Sequence, residues 1–215
     1  DIDYSLPLSD SRIKIISSAL NNIAPDIIVF AGIKDINQLQ KLQKKITGFK
    51  YSQLVDGHDK KSHLAYLSKE PPKQFSSITD QTYIIKKGIP LPVQRGFLHA
   101  IVEIDNYKLH ILGADLKNQE KNPLYNQTDM RRYEARKIRQ IATTIIKSEK
   151  DANILLLANL NDSFGKSAVK TVYNRRFGIP KRLFDLRPTD KIDVNWTFFD
   201  QRHDEYQRYD YAIAS

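Results

Sequence analysis

Ile154-Leu155-Leu156-Leu157 runs straight into Ala158-Asn159-Leu160-Asn161-Asp162, and this pairing constrains the fold more than any other part of the sequence. Four consecutive aliphatic residues, too few for a helix and closed by polar ones, read as a buried strand. Such a strand needs covering layers around it, and its end delivers Asn159, Asn161 and Asp162 to one place. Closely spaced Asn after a strand are also ordinary turn residues, because the short amide bonds its own backbone. The segment therefore has a structural reading beside a chemical one.

Around this strand the chain alternates helical and extended patterns. Leu8-Ser9-Asp10 offers helix caps before Arg12–Ile23, where Ile13, Ile16, Leu20 and Ile23 recur at helical spacing. Pro25 ends that helix, and residues 26–30 form a short buried strand. Asp35 caps a second helix with Ile36, Leu39, Leu42 and Ile46 inward and Lys41, Lys44 and Lys45 outward. Strands are expected at Tyr51–Val55 and Leu64–Leu67, and a hairpin at Phe97–Ile104 and Lys108–Ala114 across Asp105-Asn106. A third helix runs from Asp129 to about Lys147, and Tyr209–Ala214 is the last strand. No repeat, low-complexity tract or linker interrupts the order, so the 215 residues are expected to build one domain.

Composition excludes some classes and weights others. No apolar run approaches the roughly 20 residues that span a bilayer, and Asp1-Ile2-Asp3 does not begin a signal peptide. With no Cys there are neither disulfides nor thiolate metal sites, and the sequence does not choose between a secreted, periplasmic or cytoplasmic setting. The net charge of +9 favours an anionic partner: nucleic acid, a phosphorylated ligand or an acidic protein. Plain solubility charge is the competing reading. Arg131, Arg132, Arg136 and Arg139 fall at helical spacing and fit a solvated face. Arg175, Arg176 and Arg182, in a basic cluster around Pro180, are the better candidates for contacting phosphate, with Tyr133, Tyr173 and Phe177 available to stack on bases.

Taken in order, several segments resemble one superfamily. Ser11-Arg12-Ile13 with Pro25-Asp26-Ile27-Ile28, Leu67-Ser68-Lys69 with Pro71, and Arg95 ahead of Phe97–Ile104 are similar to its early motifs. Leu116-Lys117-Asn118, the Arg131-to-Ala135 helix start, Asn159 to Asp162, and Arg208-Tyr209-Asp210-Tyr211 follow in sequence. Together they resemble the endonuclease/exonuclease/phosphatase superfamily, the deoxyribonuclease I-like proteins. The resemblance implies an α+β fold, a four-layer αββα sandwich of two mainly antiparallel sheets flanked by helices. It also implies one domain over 1–215, with the family's first Trp-Asn strand and final Ser-Asp-His segment lying outside it.

The departures fall on the chemistry. The resemblance puts Gly32 where the family has its Mg²⁺-binding Glu, Asp115 where it has His, and Asn159 where it has the Asp that activates water. Asn161 and Asp210 stand as the family has them. Phosphodiester hydrolysis needs a hard cation and a base, and Asn159 does not accept a proton at neutral pH. Losing a general base alone costs about 10²–10⁴ in rate. The reading is therefore a degenerate, non-catalytic relative that keeps a basic cleft, with no cofactor. The alternative is an active Mg²⁺-dependent phosphodiesterase whose metal ligands have moved, using Asp115, Asp35 or Asp162. Against that, Asp35 reads as a helix cap, Asp162 as a loop cap and Asp115 as a solvated residue at a strand end.

Overall fold

The computed structural model describes residues 8–86, 88–173, 183–201 and 203–215. Its elements, in chain order, are α1 (Asp10–Ile23), β1 (Ile27–Ile33), α2 (Ile36–Gln43), β2 (Tyr51–Val55), β3 (His63–Ser68), β4 (Gln74–Ile78), β5 (Thr82–Ile84) and β6 (Pro90–Pro92). They continue with β7 (Phe97–Ile104), β8 (Tyr107–Asp115), α3 (Gln127–Ser148), β9 (Asn153–Asn159), α4 (Ser167–Tyr173), β10 (Phe184–Asp185), β11 (Phe198–Asp200), β12 (Glu205–Gln207) and β13 (Asp210–Ala214).

Local chemistry sets the helix boundaries. Ser9 caps α1 by accepting from the Arg12 amide, and Ala24 closes it in the left-handed region just ahead of Pro25. Asp35 caps α2 through the Gln38 amide at 2.8 Å. The hairpin turn has Asp105 and Asn106 both at positive φ, 47° and 67°. That is the geometry whose twist matches paired strands, and Asn and Asp tolerate it.

Two sheets face each other. The smaller has the order β1-β3-β2 and the larger β10-β13-β9-β8-β7-β4. Every pair is antiparallel except β8 with β9, which is parallel. Three apolar clusters fill three gaps between four layers. Ile13, Leu39 and Leu42 pack α1 and α2 on the small sheet through Ile28, Ala65 and Leu67. Val55, Leu64 and Tyr66 meet Leu98, Ala100 and Ile111 between the sheets. Ile138, Ala142, Val169 and Val172 bring α3 and α4 onto Leu112, Ile154, Leu156 and Ile213 of the large sheet. Each fully buried aliphatic chain contributes about 1.5–3 kcal/mol, so this stacking fixes which residues alternate toward which gap. The αββα sandwich expected from the sequence is the observed architecture.

Burial differs from expectation in two places. Strand β9 is not uniformly buried: Ile154, Leu156 and Ala158 are sealed under α3, while Leu155 and Leu157 are half-buried on the other face. In α3 the residues Arg131, Glu134 and Arg139 are buried and Tyr133 and Ile141 only partly so, which corrects the solvated Arg face. The short elements β4, β5, β6, α4 and β10 to β12 carry too little periodic pattern to be read in advance, and the two prolines of β6 argue against a strand at all.

Candidate functional site

Register builds the site. Asp115 at the end of β8 pairs with Asn159 at the end of β9, and Asn159 pairs with Asp210 at the start of β13. Neighbours in register share a face, so three of the sequence candidates form one row on the side facing the small sheet. The small sheet contributes Ala31 and Gly32 from the end of β1, where the pairing with β3 slips between Phe30 and Ile33. Gly32 sits at φ +85°, a conformation that glycine adopts without strain. Together these ends enclose a pocket of about 50 Å³ lined by Ala31, Gly32, Ser62, Arg95, Asp115, Asn118, Asn159 and Asn161. That is room for roughly three to five waters. Asp210 stands beside it, exposed, its amide donating to Thr197 Oγ1 at 3.0 Å.

Most polar groups here are committed to the protein. Asn159 Oδ1 accepts the Asn161 amide at 2.9 Å, which holds Asn161 at a positive φ of 49°. Asn161 Nδ2 donates to Leu116 O at 2.7 Å and to Asp115 Oδ1 at 3.3 Å, tying the ends of β8 and β9 together. Asp162 accepts the Ala168 amide at 3.0 Å, so it is the cap that its position suggested.

Asp115 is not a solvated strand end. It is 5% exposed and ion-paired with Arg95 Nη1 at 3.1 Å. Burial raises its carboxyl to about 6 although Arg95 pulls the other way, and the charges of Asp210 and Asp59 push it further up. Arg95 also reaches Asp59 Oδ2 at 3.3 Å and Leu116 O at 3.0 Å. The Asp59 loop approaches this closely because Gly57 has no side chain; a Cβ there would stand 2.7 Å from Gln94 O. Beneath the pocket, Glu134 accepts the amides of Lys117 at 2.6 Å and Gln94 at 3.5 Å. Its burial raises the carboxyl to about 7. Arg131 donates to Asn118 O at 3.0 Å. Of the residues read as a basic helix face, Arg131 is thus a brace for the loop that carries Asn118, and its neighbour Glu134 ties that loop to the one that carries Arg95.

A divalent cation does not fit this arrangement. Gly32 offers no ligand, Asn159 Oδ1 is taken by a backbone amide, and the one pocket carboxylate already has a guanidinium in contact. Hard cations bind two or more oxygens that are free to converge. Among the described residues no three His, Asp or Glu side chains gather as such a site requires. The displaced set is not brought together either, since Asp35 caps α2 and Asp162 caps α4. Arg175, Arg176 and Arg182 lie outside the described residues.

Sequence reading placed Asn159, Asn161, Asp115 and Asp210 near one another, and the pocket adds Ser62, Arg95 and Asn118. Arg95 was visible as a family-like position ahead of the hairpin, but nothing local signals that it crosses to Asp115. Its pocket lining holds one Arg, one Asp and three Asn, so the positive surplus of the chain is not on the pocket floor.

No protein-family model and no curated protein matches the chain. Solved structures do. Beta toxin of Staphylococcus aureus is 15% identical at a TM-score of 0.66, covering 95% of this chain and 77% of that one. TDP2 of D. rerio, complexed with a single strand DNA product, is 14% identical at 0.65, covering 100% and 80%. An endonuclease/exonuclease/phosphatase family protein from Leptotrichia buccalis is 13% identical at 0.62, covering 99% and 85%. The architecture is thus a deoxyribonuclease I-like sandwich. More particularly, the chain has the endonuclease/exonuclease/phosphatase fold.

Proposed function

We propose that this chain is a non-catalytic binding protein on a phosphodiesterase fold, whose cleft takes a phosphate-bearing ligand, with nucleic acid the leading class. The observation that carries this reading is the commitment of Asp115 to Arg95, with Asn161 bridging β8 and β9. At the position where the resemblance expects a base there is an amide, and the neighbouring carboxylate neutralises an internal cation. The net charge of +9 and a solved neighbour that holds a DNA product support an anionic ligand.

The test combines activity with binding. Purified protein is incubated with Mg²⁺ or Mn²⁺ and either plasmid DNA or a chromogenic phosphodiester. No metal-dependent hydrolysis above background is expected. Binding of a labelled single-stranded oligonucleotide should weaken steeply between low and physiological salt, because Lys and Arg contacts release counterions. Replacing Arg175, Arg176 and Arg182 together should flatten that dependence. Metal-dependent cleavage that disappears in Asp210→Ala would overturn the reading.

A further inference from the structure

The outer layer over the small sheet carries charge of one sign. Residues 11–25 and 36–55, which take in nearly all of α1 and the whole of α2 and β2, hold Arg12, Lys14, Lys41, Lys44, Lys45 and Lys50 and not one Asp or Glu. All six are exposed, and none has an ion pair or a side-chain hydrogen bond among the described residues. Other surface cations do find partners: Lys60 has Asp56, Lys73 has Glu103, Lys108 has Glu149 and Arg132 has Asp129. A cation at the C-terminal end of α2 suits the helix dipole, which accounts for Lys41 or Lys44 but not for the whole set. The opposite balance holds over residues 190–205, with five carboxylates to two cations. The positive surplus missing from the pocket floor is thus partly gathered here.

Apolar side chains stand among these cations. Ile15 is 69% exposed and Ile23 72%, on a helix whose Ile13 and Ile16 pack onto the small sheet. Ile36 at the start of α2 and Tyr51 beside Lys50 are exposed as well. Asn21 joins the two helices, donating to Lys45 O at 3.0 Å and accepting the Thr47 amide at 2.8 Å. Their outer faces are therefore held as one surface. At 14 residues, α1 alone is about 21 Å long. Charges spread over more than a Debye length of about 8 Å do not act together on one small anion. They suit an extended anionic plane. Nucleic acid would answer the lysines but leave the isoleucines in water, and α1 and α2 offer no aromatic ring for a base to stack on. A bilayer interface takes both, since lysines meet anionic headgroups and aliphatic tips enter the boundary beneath them. We propose that the outer face of α1 and α2 docks on an anionic lipid surface, through Lys14, Lys41, Lys44 and Lys45, with Ile15 and Ile23 entering the interface. None of these residues lines the pocket, so the docking face and the cleft are separate sites.

The experiment sediments the whole chain with phosphatidylcholine vesicles, with and without phosphatidylserine. Binding to the phosphatidylserine vesicles alone is expected, weakening as salt rises. Each lysine near such a surface contributes a factor of about five, so Lys44→Gln with Lys45→Gln should weaken binding by about tenfold or more. Lys147→Gln with Lys150→Gln removes the same net charge from the opposite outer layer and should change binding by less than about twofold. Ile15→Ser with Ile23→Ser keeps the charge and should weaken binding by about fivefold or more. All six positions are exposed, and thermal unfolding shows that each variant is folded. A labelled single-stranded oligonucleotide, offered in place of vesicles, separates the two anionic partners. Oligonucleotide binding that ignores the Lys44 and Lys45 pair supports the lipid surface. Loss of oligonucleotide binding in that pair, with vesicle binding unchanged in the isoleucine pair, would assign the face to nucleic acid and overturn the inference. Folded protein that ignores phosphatidylserine, or that loses vesicle binding equally in both lysine pairs, would overturn it too.

Discussion

Strand β8 carries two polar clusters, one on each face, and they are satisfied in different ways. On the face covered by α3, Lys108 donates to Glu149 at 2.7 Å, His110 meets the other Glu149 oxygen at 3.2 Å, and His110 contacts His99 at 3.0 Å with the rings stacked. Both oxygens of Glu149 and both nitrogens of His110 are used. On the face toward the small sheet, Asp115, Asn159, Asn161 and Arg95 are equally interlocked but leave both donors and acceptors over, Arg95 Nη2 and Asn159 Nδ2 beside Asp115 Oδ2 and Asn161 Oδ1. A buried polar residue is thus no marker of a site by itself. What separates the two clusters is surplus hydrogen-bonding capacity facing open space, since a closed network spends everything on the fold.

The largest expected effect breaks the open cluster. Arg95→Met should destabilise by about 3–5 kcal/mol in urea unfolding, because it strands Asp115 without its counter-charge. Adding Asp115→Asn should recover most of that loss. If the single variant costs under about 1 kcal/mol, the pair is not the brace that its geometry describes.

Next come opposite pH dependences. Glu134 is raised from 4.5 to about 7, chiefly by burial. A carboxyl raised by folding gives stability that is complete below its unfolded value and is lost as pH climbs through about 7. His99 is lowered from 6.5 to about 4, first by burial and then by the charge of His110. Its contribution is complete above 6.5 and is lost as pH falls toward 4. Each shift corresponds to about 3 kcal/mol at most. Unfolding measured from pH 4 to 8 should therefore give a dome. Glu134→Gln should flatten its alkaline side and His99→Gln its acid side. Identical curves for both variants would show that neither cluster sets the pH dependence.

A smaller effect tests whether the open cluster can be made to bind a metal. Gly32→Glu must hold a side chain at φ +85°, costing about 1–3 kcal/mol. Calorimetry should still find Mg²⁺ affinity no better than millimolar, about −4 kcal/mol. A micromolar site with a stoichiometry of one would show that the Arg95–Asp115 pair yields to a cation. The smallest effect belongs to the closed cluster: Lys108→Met removes a partly exposed ion pair and should cost no more than about 1 kcal/mol in the same unfolding assay.

Much of the scaffold was legible because its cause is local. The caps Ser9 and Asp35, the Asp105-Asn106 turn, and the aliphatic run of β9 each act through neighbours in sequence. The row Asp115–Asn159–Asp210 was legible only through the ordered resemblance, since periodicity says nothing of register between strands remote in the chain. Arg131 and Arg139 misled for the same reason: helical spacing gives a face, and only packing decides whether that face is solvated.

By itself the sequence determined the helix caps, the hairpin turn and the strand that anchors the large sheet, because residue type and short-range spacing are sufficient for these, whereas the layers followed from the ordered resemblance. Only the tertiary structure decided that Arg95 closes on Asp115, and that the side-chain oxygens of Asn118 and Asn159 accept from the Lys117 ammonium and the Asn161 amide. Those outcomes depend on side chains from β1, β8, β9 and the loop ahead of β7 meeting in one small volume. Which hydrogen-bonding groups are then left over is a property of that meeting, and no one segment carries it.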